Sequence, residues 1–243
     1  MSGSPKIERA FNNVAALVRP YLDSVFRKTW RGQENVKGRK GIIVVSNHLT
    51  QIDPLVVGHF LYDQGLMPHF MAKQSMFGWP LVGSVMRSTN QVPVFRGSAD
   101  AVKAIAVAEE IVANGEALVV YPEGTLTEDP GLWPMRGYTG AARLALATGA
   151  DVVPIAHWGD QAKFATRLTK PKRTLRRAPV SVSAGRPVDL ADFRDKPVTR
   201  ELLEEATERI MDALTAELAG LRGEEPPAER FDLRAARKRS SDR

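Results

Sequence analysis

A histidine followed five residues later by an aspartate, in Asn47-His48-Leu49-Thr50-Gln51-Ile52-Asp53, supplies the two groups that general-base chemistry needs. A carboxylate that accepts one imidazole N–H fixes the tautomer and leaves the other ring nitrogen to take a proton. Asp53 also precedes Pro54, an ordinary way to start a helix, so the pair alone does not decide its own role. A second block, Pro122-Glu123-Gly124-Thr125, sets a carboxylate beside a glycine, which lets backbone approach a ligand closely. Val92-Pro93-Val94-Phe95-Arg96-Gly97 adds a cation, and Val152-Val153-Pro154-Ile155 forms a fourth block. His59, His69 and His157 have no such motif partners and read as structural.

Each block sits at the end of a short apolar, β-branched run. Strands are predicted at 42–46, 69–72, 91–95, 117–121 and 151–157, alternating with helices from about 54, over 99–113 and from about 138 to 148. Such alternation predicts a single α/β domain with a mixed, mostly parallel central sheet flanked by helices. Ligands of open α/β sheets bind beyond the carboxyl ends of the strands, so one histidine, two carboxylates and one arginine are brought to one site, suited to a phosphate-bearing substrate. Before the sheet, Ile7, Phe11, Val14, Val18, Tyr21, Leu22, Val25, Phe26 and Trp30 form one apolar helical stripe, which Pro20 should kink or split. After it, a helix is predicted over 198–221. The expected organisation is an N-terminal amphipathic helical segment (1–35), the α/β domain (36–222) and a basic, disordered tail (223–243).

Composition removes several classes. With 243 residues, 43% of them hydrophobic, the chain can bury one core. The absence of cysteine excludes disulfides, thiolate metal ligands and a cysteine nucleophile. One histidine with two carboxylates is a thin ligand set, so no metal is expected. The net charge of +6 favours anionic partners. Lys163, Arg167, Lys170, Lys172, Arg173, Arg176, Arg177 and Arg186 form a basic stretch with no acid between Asp160 and Asp189. Only Phe164 interrupts the cations from 163 to 177 with an aromatic ring, and no recognition motif is present, so nucleic acid is not expected as a partner. Charges throughout the first thirty residues argue against a secretory signal, and the charge-free run 74–86 is too short to span a bilayer.

In order and spacing, the four blocks resemble the motif set of the glycerolipid acyltransferases over roughly residues 41–155. Asn47, His48 and Asp53 match the NH-x4-D block, and Pro122 to Thr125 match the PEGT block. The resemblance implies that His48 is the base and Asp53 its partner. It further implies that Asn47 and Gly124 help an oxyanion, that Glu123 and Thr125 position the acceptor, and that Lys73, Arg96 and Arg136 hold its phosphate. The implied reaction moves a fatty acyl group from acyl-CoA or acyl carrier protein, as co-substrate rather than cofactor, to lysophosphatidic acid. Glycerol 3-phosphate, a lyso-ornithine lipid or a phosphatidylinositol mannoside is the alternative acceptor. The enzyme would lie peripherally on an anionic membrane surface at the cytoplasmic face, using residues 7–30 and the apolar run 76–81. One departure is Leu126, where many members carry an arginine.

Overall fold

A computed structural model describes residues 4–94, 98–171 and 175–241, without side chains for 98–104 and 240–241. Seven strands form one sheet in the order β1(Phe26–Arg31), β7(Ala178–Ala184), β6(Asp151–Trp158), β2(Ile42–Ser46), β5(Ala117–Val120), β3(Pro68–Lys73), β4(Val92–Val94). All pairs are parallel except β6 with β7. The strands β2 and β5 are apolar without alternation because helices cover both faces. Ile42 and Val44 face one layer with Val56, Val57, Phe60 and Leu61 of α2(Asp53–Asp63). Ile43 and Val45 face the other, with Ile111 of α4(Ser98–Ala113), Leu144 of α5(Gly140–Thr148) and Leu203 and Ile210 of α6(Arg200–Arg222). The Thr199 hydroxyl caps α6 by accepting from Leu202 N, and Gly223 ends it at a left-handed φ of 65°.

Two segments depart from the sequence reading. The helix α1(Pro5–Val25) runs through Pro20 without splitting and stops at Val25. Residues 26–31 are an edge strand, because Phe26, Lys28 and Trp30 alternate inward while Arg27, Thr29 and Arg31 point out. The apolar residues there satisfy both periods, and pairing with β7, a strand not foreseen, decides in favour of the strand. The N-terminal segment is thus part of the sheet and not an appendage.

The second departure is the tail, which was expected to be disordered. Its arginines find acids on the folded domain. Arg230 pairs with Glu208 at 2.5 Å and with Asp212, Arg136 N donates to Phe231 O at 3.0 Å, and Arg237 pairs with Glu128 at 2.7 Å. Asp232 then caps α7(Leu233–Ser241) by accepting from Arg234 N and Ala235 N.

Candidate active site

Because β2, β5, β3, β4 and β6 run parallel through the shared sheet, their carboxyl ends open on one edge. At that edge His48 follows β2 with its side chain 17% exposed, and Nδ1 lies 2.8 Å from Asp53 Oδ2. Asp53 is fully buried and begins α2, but its carboxylate turns back on the loop. It accepts from Leu49 N at 2.6 Å, Thr50 N at 3.0 Å and Thr50 Oγ1 at 2.6 Å. Burial opposes its charge, yet His157 and His48 outweigh burial and hold it well below the usual carboxylate range. An ionised Asp53 accepts from Nδ1–H and leaves Nε2 as the ring's acceptor. The Tyr121 ring, at the end of β5, stacks on the imidazole at 4.1 Å between centroids.

Glu123, to which the resemblance gives the positioning of the acceptor, has both carboxylate oxygens engaged by backbone. Its Oε1 accepts from His48 N at 3.1 Å and Oε2 from Met135 N at 3.0 Å, while Thr127 N donates to His48 O at 2.7 Å. The PEGT turn, through Glu123, and Thr127 just after it therefore grip the backbone of the base at both ends. Burial pushes Glu123 up to about 8. A carboxyl raised from 4.5 to about 8 on folding contributes stability that is fully present below 4.5 and lost as pH rises through 8. The slope over that window reaches about 1.4 kcal/mol per pH unit. Thermal unfolding followed from pH 5 to 9 should therefore show this decline in the wild type and a flatter curve in Glu123→Gln. Equal slopes in the two proteins would remove the argument.

The Asn47 side chain is likewise engaged by backbone. Its amide donates to His157 O at 3.0 Å and its carbonyl accepts from His157 N at 2.9 Å, tying the ends of β2 and β6 together. Gly124 has a left-handed φ of 65°, and an added Cβ would stand 3.3 Å from the Tyr138 ring. Its N–H already donates to Tyr121 O at 3.0 Å within the turn. Thr125 is half-buried, with its hydroxyl 3.5 Å from Arg167 Nη2, so the basic stretch reaches this turn through Arg167. Arg177, by contrast, is structural, donating to Phe26 O through Nε and Nη2. Lys73 is exposed at the end of β3. Arg136 is exposed but turned to Asp232 and Glu208 at 3.5 and 3.8 Å. Arg96 lies outside the described residues. Leu126 is buried, so that position offers nothing to a headgroup.

His157 and Asp160, at the end of β6, were missed as site residues. Both are fully buried, and His157 Nε2 lies 3.4 Å from Asp53 Oδ2. The signal that would have found them is the strand-end argument already used for His48, since β6 is the immediate neighbour of β2.

Residues 27–158 match the model of the acyltransferase family. A 1-acyl-sn-glycerol-3-phosphate acyltransferase of Bacillus subtilis (strain 168) is 25% identical over 181 residues, 73% of this chain and 81% of that protein. One from Borreliella burgdorferi is 27% identical over 125 residues, and there the match spans 51% of this chain and only 48% of the relative. A lyso-ornithine lipid O-acyltransferase of Rhodobacter capsulatus is 26% identical over 62% of this chain and 58% of its own length. The crystal structure of the lysophosphatidic acid acyltransferase PlsC from Thermotoga maritima superposes with a TM-score of 0.65, covering 91% of this chain and 83% of that one at 22% identity. With more than half of its length in the family match, and with the His48–Asp53 pair at the edge where α/β sheets bind ligands, the chain belongs to the acyltransferase family.

Proposed function

We propose that this protein transfers a fatty acyl group from an acyl thioester to the free sn-2 hydroxyl of lysophosphatidic acid, giving phosphatidic acid. The observation that carries the reading is the His48 ring held by Asp53 with Nε2 left to accept a proton. Nε2 removes the hydroxyl proton as the oxygen attacks the thioester carbonyl carbon. The tetrahedral intermediate then expels the thiolate, which takes that proton back from the imidazolium, so the carbon–sulfur bond is exchanged for a carbon–oxygen ester. No enzyme nucleophile and no cofactor enters this sequence, and the thioester comes from acyl-CoA or acyl carrier protein. The glycerophosphate acceptor is favoured by the Bacillus and Borreliella relatives. A lyso-ornithine acceptor is the second reading, on the strength of the Rhodobacter relative. Incubation with palmitoyl-CoA and a panel of lysophosphatidic acid, glycerol 3-phosphate and lyso-ornithine lipid separates them. Phosphatidic acid is the expected product, and acylated ornithine lipid alone would replace the first reading by the second.

Both the acceptor and the product are amphiphiles, so the enzyme must meet a lipid surface, which we place at the cytoplasmic face, where acyl thioesters are available. Among the described residues no helix is long and apolar enough to cross a membrane. On α1, Leu17 is 77% exposed and Tyr21 is also exposed, and α1 packs against α3(Val82–Ser88). Beside it Trp79, Leu81 (84% exposed), Val82 and Val85 are exposed as well. Each large apolar side chain taken from water contributes about 1.5–3 kcal/mol. Leu17→Glu, Trp79→Glu and Leu81→Glu together should therefore reduce sedimentation with phosphatidylglycerol vesicles at least tenfold at unchanged melting temperature. Full retention on the vesicles would end this assignment. Deletion of residues 1–30 is a poorer test, because it removes the edge strand β1.

A further inference from the structure

Asp53 carries more protons around it than the dyad needs. On the side of β6, His157 Nε2 lies 2.9 Å from Asn47 O and 3.4 Å from Asp53 Oδ2, and Nδ1 lies 3.0 Å from Asp160 Oδ1. A carbonyl oxygen only accepts, so Nε2 bears a proton. The Thr50 hydroxyl lies 2.6 Å from Asp53 Oδ1 and 2.7 Å from Asp160 Oδ2. It has a single proton and satisfies one of these contacts, so the other needs a proton from a carboxylic acid. Asp160 is the group suited to supply it, since burial first and the Asp53 charge second raise it from its ordinary value, while Asp53 is held low. The chain of bonds then runs from Asp160 O–H to Thr50 Oγ1 and from Thr50 O–H to Asp53. Asp160 Oδ1 remains an acceptor, which calls for a proton on His157 Nδ1 as well.

We propose that His157 is a buried imidazolium sharing the Asp53 carboxylate with His48, locked in place by Thr50 and Asp160, and that it is a positioning residue for the acid–base step. Its cation takes up part of the Asp53 field. Against a carboxylate as buried as Asp53 and without a second cation, His48 would hold the transferred proton too firmly for its return to the leaving thiolate. Burial opposes a charged His157, but Asp53 and Asp160 outweigh burial and raise it well above the ordinary histidine range. The other titratable groups facing the cluster are Tyr121 and Glu123. Tyr121 is pushed up by burial and then by the Asp53 charge, and Glu123 sits at about 8, so both are uncharged at neutral pH. Asp53, His157 and Asp160 converge closely enough to hold a cation, but the count of protons makes them an internal ion pair.

Nitrogen-15 NMR of the wild-type histidine rings tests the charge without any substrate. Both ring nitrogens of His157 should be protonated at pH 7. In His157→Gln, which keeps a donor toward Asn47 O, the titration midpoint of the His48 ring should rise by about one pH unit. This rests on the acyl-transfer reading only in its kinetic arm, where the acid limb of kcat/KM should move by the same amount. Asp160→Asn copies the acid form of Asp160, its amide donating toward Thr50 Oγ1 and its carbonyl accepting from His157 Nδ1, and should leave both His157 ring nitrogens protonated. A neutral His157 ring in the wild type overturns the proposal, as does an unmoved His48 midpoint in folded His157→Gln. Should His157→Gln not fold, a neutral His157 ring in folded Asp160→Asn is the overturning result. A wild type inactive on every acceptor rejects the reaction and leaves the NMR arm to decide the charge.

Discussion

Replacing His48 by alanine is expected to lower kcat on the competent acceptor by about 10² to 10⁴ while the fold survives. The size follows from the mechanism, in which the ring takes the hydroxyl proton and returns it to the thiolate. Glu123, the carboxyl on the His48 backbone, has both oxygens engaged by His48 N and Met135 N, and these bonds do not depend on the imidazole. Asp53 loses one of its partners but keeps Leu49 N, Thr50 N, the Thr50 hydroxyl and the facing His157. A melting temperature within a few degrees of the wild type is therefore expected alongside the lost turnover. Activity within tenfold of the wild type would show that His48 is not the base. A parallel fall in melting temperature and activity would mean that its role is structural.

The parts of this molecule that could be read from its sequence are those governed by local pattern. The buried runs 42–45 and 117–120 have no polar residue to alternate, so they could only be central strands. The strand-end rule then placed His48 and Glu123 on one edge before any coordinates were considered. What could not be read depends on partners distant in sequence. Residues 26–31 fit a helix until β7, some 150 positions away, offers a ladder. The tail looks disordered until Glu208 and Asp212 meet Arg230. At the site, residue type marked Glu123 and Asn47 for substrate contact, but both spend their polar atoms on the backbone of neighbouring strand ends. Motif residues can thus be indispensable to a site by gripping its backbone, and sequence spacing does not distinguish that work from contact with a ligand.

Asp53→Asn is expected to damage activity and stability together, which sets it apart from His48→Ala. The wild-type carboxylate only accepts, and every contact around it is a donor: Leu49 N and His48 Nδ1 on Oδ2, the Thr50 hydroxyl on Oδ1, and Thr50 N on both. An amide in either orientation sets its NH2 against two or more of those donors. Removing one charge of a buried pair also leaves His157 facing Asp160 alone, a loss of the kind that costs about 3–5 kcal/mol. For a chain of this size that corresponds to a fall in melting temperature of roughly 10 °C. Turnover should fall by about 10² or more, because the tautomer of His48 is no longer imposed. The pH dependence carries a further signature. Asp53 titrates below 3.8 in the folded protein, so its stabilisation is present above 3.8 and is lost as pH falls through the lower folded value. The gap in melting temperature between wild type and Asp53→Asn should therefore be widest near neutral pH and close in strong acid. A gap independent of pH would assign the loss to packing and not to the buried charge.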